Sequence, residues 1–197
     1  MAEAVHEVAH EATHEAAHSG KSTAKLIGLL ISILALFLAV SEMLGKSAQT
    51  NALAINIEAS NTWNFFQAKT IRQTMLRTQL ENTRMQVDVA RPEVEKQLKS
   101  WQANIDRWES EPETNEGRRE LTKRAKELEA KRDGYFEQYH AYEISSLIIQ
   151  LGIVMCSVAL LTSVMMFAGV AMVLGGAGLA VMVGTYLKIP FVLHMLH

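Results

Sequence analysis

Four histidines, His6, His10, His14 and His18, recur every four residues, and Glu7, Glu11 and Glu15 follow the first three, so that His-Glu-x-x-His is written three times over. In a zinc protease that spacing sets two imidazole ligands on one helix face, and the glutamate polarises the zinc-bound water. A third ligand and an enclosing domain come from elsewhere in such a chain. Here a four-residue repeat generates the pattern by itself, and the other histidines, His140, His194 and His197, are remote in sequence. The reading is therefore non-enzymatic. Without catalysis, histidines at i and i+4 drift only about 40° around a helix, so neighbouring pairs can chelate zinc or copper as neutral imidazoles. The plainer alternative is a solvated Ala/Glu/His helix, marginal on its own in water. Four imidazoles would also turn such a tail positive below about pH 6. No cofactor is expected beyond zinc or copper at this repeat.

Two polar residues interrupt otherwise apolar runs. Glu42 lies near the end of the first, where Lys46 at i+4 offers an ion pair, and Gln150 lies in the second. A further cluster, Trp63, Phe66, Lys69 and Arg72, sets aromatic and cationic side chains within three turns of an Asn-rich helix. It reads as a packing site between subunits, with a ligand or lipid-headgroup site as the alternative.

The elements that carry these residues follow from how charge is distributed. The chain has 197 residues, 20% of them charged, and a formal net charge of -2, but charged and apolar residues are segregated. Residues 26–44 hold one charge, and at about 1.5 Å per residue they span roughly 30 Å of hydrocarbon. Residues 144–187 hold none, about twice one crossing, so they read as two helices joined by a turn at Thr162-Ser163 or, nearly as well, at Ala168-Gly169. The expected fold is all-α: an integral membrane protein with three transmembrane helices and a long helical hairpin, a coiled-coil-like stalk, between the first and second. The divisions are a His/Glu/Ala-rich tail (1–25), crossings at 26–44, 144–162 and 163–187, the hairpin (45–143), and a short interfacial tail (188–197). A cleaved secretory signal is not expected, because no small-x-small site follows the first apolar run.

Between the crossings, 16 Lys and Arg balance 16 Asp and Glu, which excludes a strongly basic nucleic-acid binder. Residues 48–91 contain no Gly or Pro and predict one long helix ended by Pro92. Its inward stripe is read as Ile57, Asn61, Asn64, Ala68, Ile71, Met75, Thr78, Asn82, Met85 and Val89, alternating at four and three residues. Val94, Leu98, Trp101, Ile105 and Trp108 repeat likewise. Past a break at 110–115, so do Leu121, Ala125, Leu128 and Arg132. These last two stripes predict amphipathic helices facing each other across an acidic loop.

Within the membrane, small residues allow close approach of helices. Gly28, Ser32 and Ala35 in the first crossing and Gly176, Ala180 and Gly184 in the third form such stripes, as do Ser145, Gly152, Cys156 and Ala159 in the second. They read as packing faces, within the chain or between subunits. Partners are the lipid bilayer and further copies of the chain, in a homo-oligomer. Lysines near the crossings lean towards a cytoplasmic hairpin and C-terminus.

The stretch Asn56-Ile57-Glu58-Ala59-Ser60-Asn61, then Trp63, Phe65-Phe66-Gln67-Ala68-Lys69 and Arg72, resembles a family of bacterial membrane proteins catalogued as domain of unknown function 4337. The resemblance covers most of residues 20–187; it implies a bacterial membrane protein and carries no activity, and the expected location is the bacterial inner membrane, as a multi-pass protein. Three crossings, a His-rich tail and the terminal His194-Met195-Leu196-His197 also look like high-affinity copper transporters. Those transporters set two methionines four residues apart in the second crossing, where this chain has Met155 and Ala159. The expected function is a non-enzymatic, oligomeric structural or scaffold component of the membrane; the alternative is a copper- or zinc-type transporter or channel with a metal-collecting tail.

Overall fold

The computed structural model describes residues 22–87 and 91–187, together with Glu7, His10, Glu11 and Thr13. His6, His14, His18 and the 188–197 tail lie outside the described residues. From Ser22 onward the described residues are all-helical, with no strand: α1 (Ser22–Gln86), α2 (Pro92–Glu109), α3 (Arg118–Thr162) and α4 (Met165–Tyr186). Three of them, α1, α3 and α4, contain stretches long and apolar enough to cross a membrane. The contacts divide the chain into two compact units, Met1–Asn51 with Gly134–His197, and Ala52–Asp133.

In the first unit the apolar parts of α1, α3 and α4 share a core of Ile31, Leu34, Leu38, Ile149, Ile153 and Ala171. What sets this unit apart from a soluble bundle is its outside. Leu26, Leu29, Leu36, Met43, Leu151, Met172 and Val173 are all exposed by more than half, so the helices are apolar around their whole circumference, as a bilayer requires. Two buried hydroxyls tie the helices together: Ser41 Oγ donates to Tyr142 O (3.2 Å) and Ser145 Oγ to Gly178 O (2.8 Å). The break between α3 and α4 falls at Ser163 and Val164, with Ser163 in the left-handed region at φ 56°, at the Thr162-Ser163 pair rather than at Ala168-Gly169.

The second unit corrects the sequence reading of α1. The stripe read as facing inward is open: Ile57, Ile71, Met75 and Met85 are exposed. The face that packs is Ala59, Thr62, Phe66, Lys69, Gln73, Leu76 and Leu80, which also alternates at three and four residues, on the opposite side of the helix. Two heptad stripes exist on one helix, and periodicity cannot choose between them. The more polar stripe is buried because the returning chain supplies partners for Lys69 and Gln73, while Thr62 Oγ1 donates to Glu58 O of its own helix.

That return is made by α2 and α3 in succession. Leu98 and Ile105 of α2 cluster with Leu76 and Leu80, Arg118 reaches Thr70 and Gln73, Glu129 meets Trp63 and Arg132 meets Asn56. Numbers rise on one side as they fall on the other, an antiparallel return along α1. Thus α2 and α3 both pack on α1 and do not face each other as expected. Pro92 opens α2 at its first turn, with Arg91 extended at φ -72°, ψ 127°. The jog between α2 and α3 needs Gly117, since a Cβ there would collide with Glu111 N, Ser110 Cα and the Glu120 carboxylate.

Candidate functional site

Two polar constellations emerge, one in each unit. In the membrane-like unit, Gln150 Nε2 lies 3.4 Å from Glu42 Oε1. The two polar residues found separately in two apolar runs are therefore partners across α1 and α3. This replaces the expected pairing of Glu42 with Lys46: among the described residues no ion pair joins them. A cleft of about 390 Å³ opens beside this pair, and Lys46, Gln49, Glu143 and Ser146 are among its lining residues. Its size is within the range of small-molecule sites, and its charged groups are two carboxylates and one ammonium. Glu143 is also 3.6 Å from His140 Nδ1.

The second constellation sits where α1, α2 and α3 meet. Lys69 is buried, donates to Glu116 O, and lies 3.4 Å from Glu111 Oε2; its ammonium is also 5.4 Å from the Phe65 ring. Arg118 donates to Gln73 Oε1 (2.6 Å), Glu109 Oε2 (2.9 Å) and Thr70 Oγ1 (3.0 Å) and stacks on Phe66 at 5.2 Å. Gln73 Nε2 in turn donates to Ile105 O and Glu109 Oε2. The Gln73 amide, then Arg118 and Arg119, holds the Glu109 carboxyl below its ordinary value. Ser110 Oγ does the same for Glu120. Trp63 Nε1 donates to Glu129 Oε1 at 2.9 Å, and its ring meets Phe66 edge-on.

Of the four residues grouped by sequence, Trp63, Phe66 and Lys69 therefore serve the contact between α1 and its own returning helices, while Arg72 points to solvent. Among the described residues no buried side-chain nitrogen or oxygen lacks a partner, so this network is closed. Sequence reasoning missed Gln73, Glu109 and Arg118, whose roles rest on contacts some thirty to fifty positions apart that leave no local signal. Nor do three His, Cys, Asp or Glu side chains come together as a metal site among the described residues; of the histidine repeat only His10 is described there.

The small-residue stripes divide. Gly28 and Gly184 are buried and Ala35 packs on the core edge, but Ser32, Gly176 and Ala180 face outward. A Cβ on Gly176 would meet nothing within 4 Å. The contact face of α4 is instead Ala168, Ala171, Gly175, Gly178, Met182 and Thr185. Adjacent glycines at 175 and 176 begin two small-residue stripes, and the one that brings α4 against Ser145 and Gly152 of α3 is used.

A family model described as Domain of unknown function (DUF4337) matches residues 23–188. The chain belongs to this family. The match runs from the first turn of α1 past the end of α4 and begins after the histidine repeat. No curated protein and no solved structure matches the chain significantly.

Proposed function

We propose that the protein is a non-enzymatic structural component of a membrane, in which three crossings anchor an extramembrane helical hairpin. The observation that carries this reading is the contrast between the two units. One is apolar on its outer surface, where lipid can replace water at no cost. The other consumes its own polar groups in a closed network that stiffens a hairpin. The membrane is read as the bacterial inner membrane, with the hairpin on the cytoplasmic side and the protein as a homo-oligomer.

Single cysteines in a Cys156→Ser background test this, using an impermeant maleimide on intact and opened vesicles. Cysteine at Glu113 is expected to label from one side only, and cysteine at Leu36 or Val173 from neither. Labelling of Leu36→Cys or Val173→Cys from water would refute the crossings.

The cleft beside Glu42 and Gln150 keeps a second reading open, a transporter or channel for a metal ion. A carboxylate within an apolar helix is a functional hypothesis by default. Zinc or copper flux in proteoliposomes that falls on Glu42→Gln would favour transport, and flux no greater than in protein-free vesicles would favour the structural role.

A further inference from the structure

The outward stripe of α1, from Ile57 to Met85, is left uncovered by the described residues of the Ala52–Asp133 unit. Ile57, Ile71, Met75 and Met85 on it are 62, 57, 68 and 76% exposed, while Thr62, Lys69 and Gln73 on the opposite side are buried. The helix shelters lysine and glutamine and presents isoleucine and methionine outward, the inverse of ordinary burial.

We propose that this stripe is the contact surface for a second copy of the chain, packed parallel and in register. The proposal rests on the membrane-anchored reading for its direction. Because α1 is one uninterrupted helix from its apolar segment to Gln86, two copies inserted the same way carry it in the same direction.

The periodicity identifies a helix as the occupant. Alternation at four and three residues is what knobs-into-holes packing demands, and a lipid surface asks only for a broad face. The asparagines choose the register. In register, Asn61, Asn64 and Asn82 each meet their twin, and a carboxamide both donates and accepts. A shift of one heptad sets Asn64 against Ile71 and Asn61 against Ala68, leaving buried amides without partners.

The flanks agree: Gln67 comes opposite Arg72 of the other copy, Thr74 opposite Gln79, and Glu81 opposite Gln86, with no like charges facing. Stripe and flanks together amount to eighteen residues between 57 and 86, close to the ~20 per side of a standard stable interface.

The test is oxidative cross-linking of the full chain in membranes, with Cys156→Ser and one cysteine at a time at Asn64, Ile71 or Thr78, and at Arg77 as an exposed site off the stripe. Twin residues at the first three positions fall within disulfide reach only in a parallel, in-register pair. The expected result is a product of twice the chain mass at all three and none at Arg77. Bonding at only one of the three, equal bonding at Arg77, a product of another mass, or none at all would overturn the proposal.

Ile71→Asp with Met75→Asp is expected to abolish the cross-link from Asn64→Cys while leaving the helical circular dichroism unchanged, since both side chains are exposed in the single chain. Carbonate extraction of the same membranes separates the two readings. Protein that washes off yet cross-links at all three sites would refute the anchor alone, and protein that stays but does not cross-link would refute the pairing alone.

Discussion

Adding one methyl group at each of three neighbouring positions on α4 tests the packing of the apolar unit directly. A Cβ at Gly178 would sit 2.6 Å from Ile149 Cγ1, 3.1 Å from Ser145 O and 3.3 Å from Ile149 N. Ile149 is fully buried and the other two atoms are backbone, so α4 itself must move away from α3. That movement stretches the buried Ser145–Gly178 hydrogen bond. Overpacking of this kind costs about 1–3 kcal/mol, and a weakened interhelical bond in lipid adds roughly 0.6 kcal/mol. The gain in helix propensity from Gly to Ala offsets at most about 1 kcal/mol. Gly178→Ala should therefore lose about 0.5–2.5 kcal/mol even at the full propensity gain.

At Gly175 the three nearest atoms all belong to the Leu34 side chain, Cδ2 at 2.5 Å, and none to backbone, so Gly175→Ala should cost less. At Gly176 nothing lies within 4 Å, and Gly176→Ala should be neutral or slightly stabilising. Reversible unfolding in mixed micelles, titrated with SDS and followed by circular dichroism, ranks the three. If Gly176→Ala were as damaging as Gly178→Ala in dilute micelles, or Gly178→Ala as stable as the parent, the assignment of the α4 contact face would be wrong.

Lys69→Met, which keeps the stem but removes the ammonium, should destabilise the hairpin by about 2 kcal/mol, because Glu111 and the Glu116 carbonyl lose their buried donor; hydrogen exchange of the α1 amides around 69–73 should quicken, and unchanged protection would contradict the network. Glu109 has a lowered folded value, so the stability it contributes is full above the ordinary carboxylate range and is lost as pH falls through that lowered value; a melting-temperature profile for Glu109→Gln should be flatter than the parent's on the acid side, and parallel profiles would refute the assignment. Ser163 holds φ 56° without being glycine, a conformation costing about 1–2 kcal/mol for an L residue; Ser163→Gly should gain about 0.5–1 kcal/mol after the added freedom of the unfolded chain is subtracted, and a lowered midpoint in SDS titration would show that the hydroxyl has a role of its own.

The parts of the architecture that were legible in sequence are those whose free energy is summed along the chain. Apolar runs at 26–44 and 144–187 mark α1, α3 and α4 by transfer free energy alone. Pro92 sets the start of α2 through a clash with the residue before it. The stripes Leu98 and Ile105, and Leu121 and Ala125, are buried as their spacing predicted. Glu42 and Gln150, the two polar residues that interrupt the apolar runs, are legible there as well, though not their pairing.

What periodicity left undecided was every choice between two equivalent faces. On α1, one four-three stripe carries Ile57, Ile71 and Met75 and the other Thr62, Lys69 and Gln73; apolar content favoured the first, and the structure buries the second because Glu111, Glu109, Arg118 and the Ile105 carbonyl come from α2, α3 and the loop between them to complete it. On α4, Gly175 with Gly178 and Gly176 with Ala180 offer two surfaces of similar smallness, separated only by which one meets Ser145 and Ile149. The sequence by itself determined how many apolar helices there are, since that depends on local composition. Only the tertiary structure decided which side of each helix is inside, because a polar side chain is buried at little cost when a residue some forty positions away satisfies it.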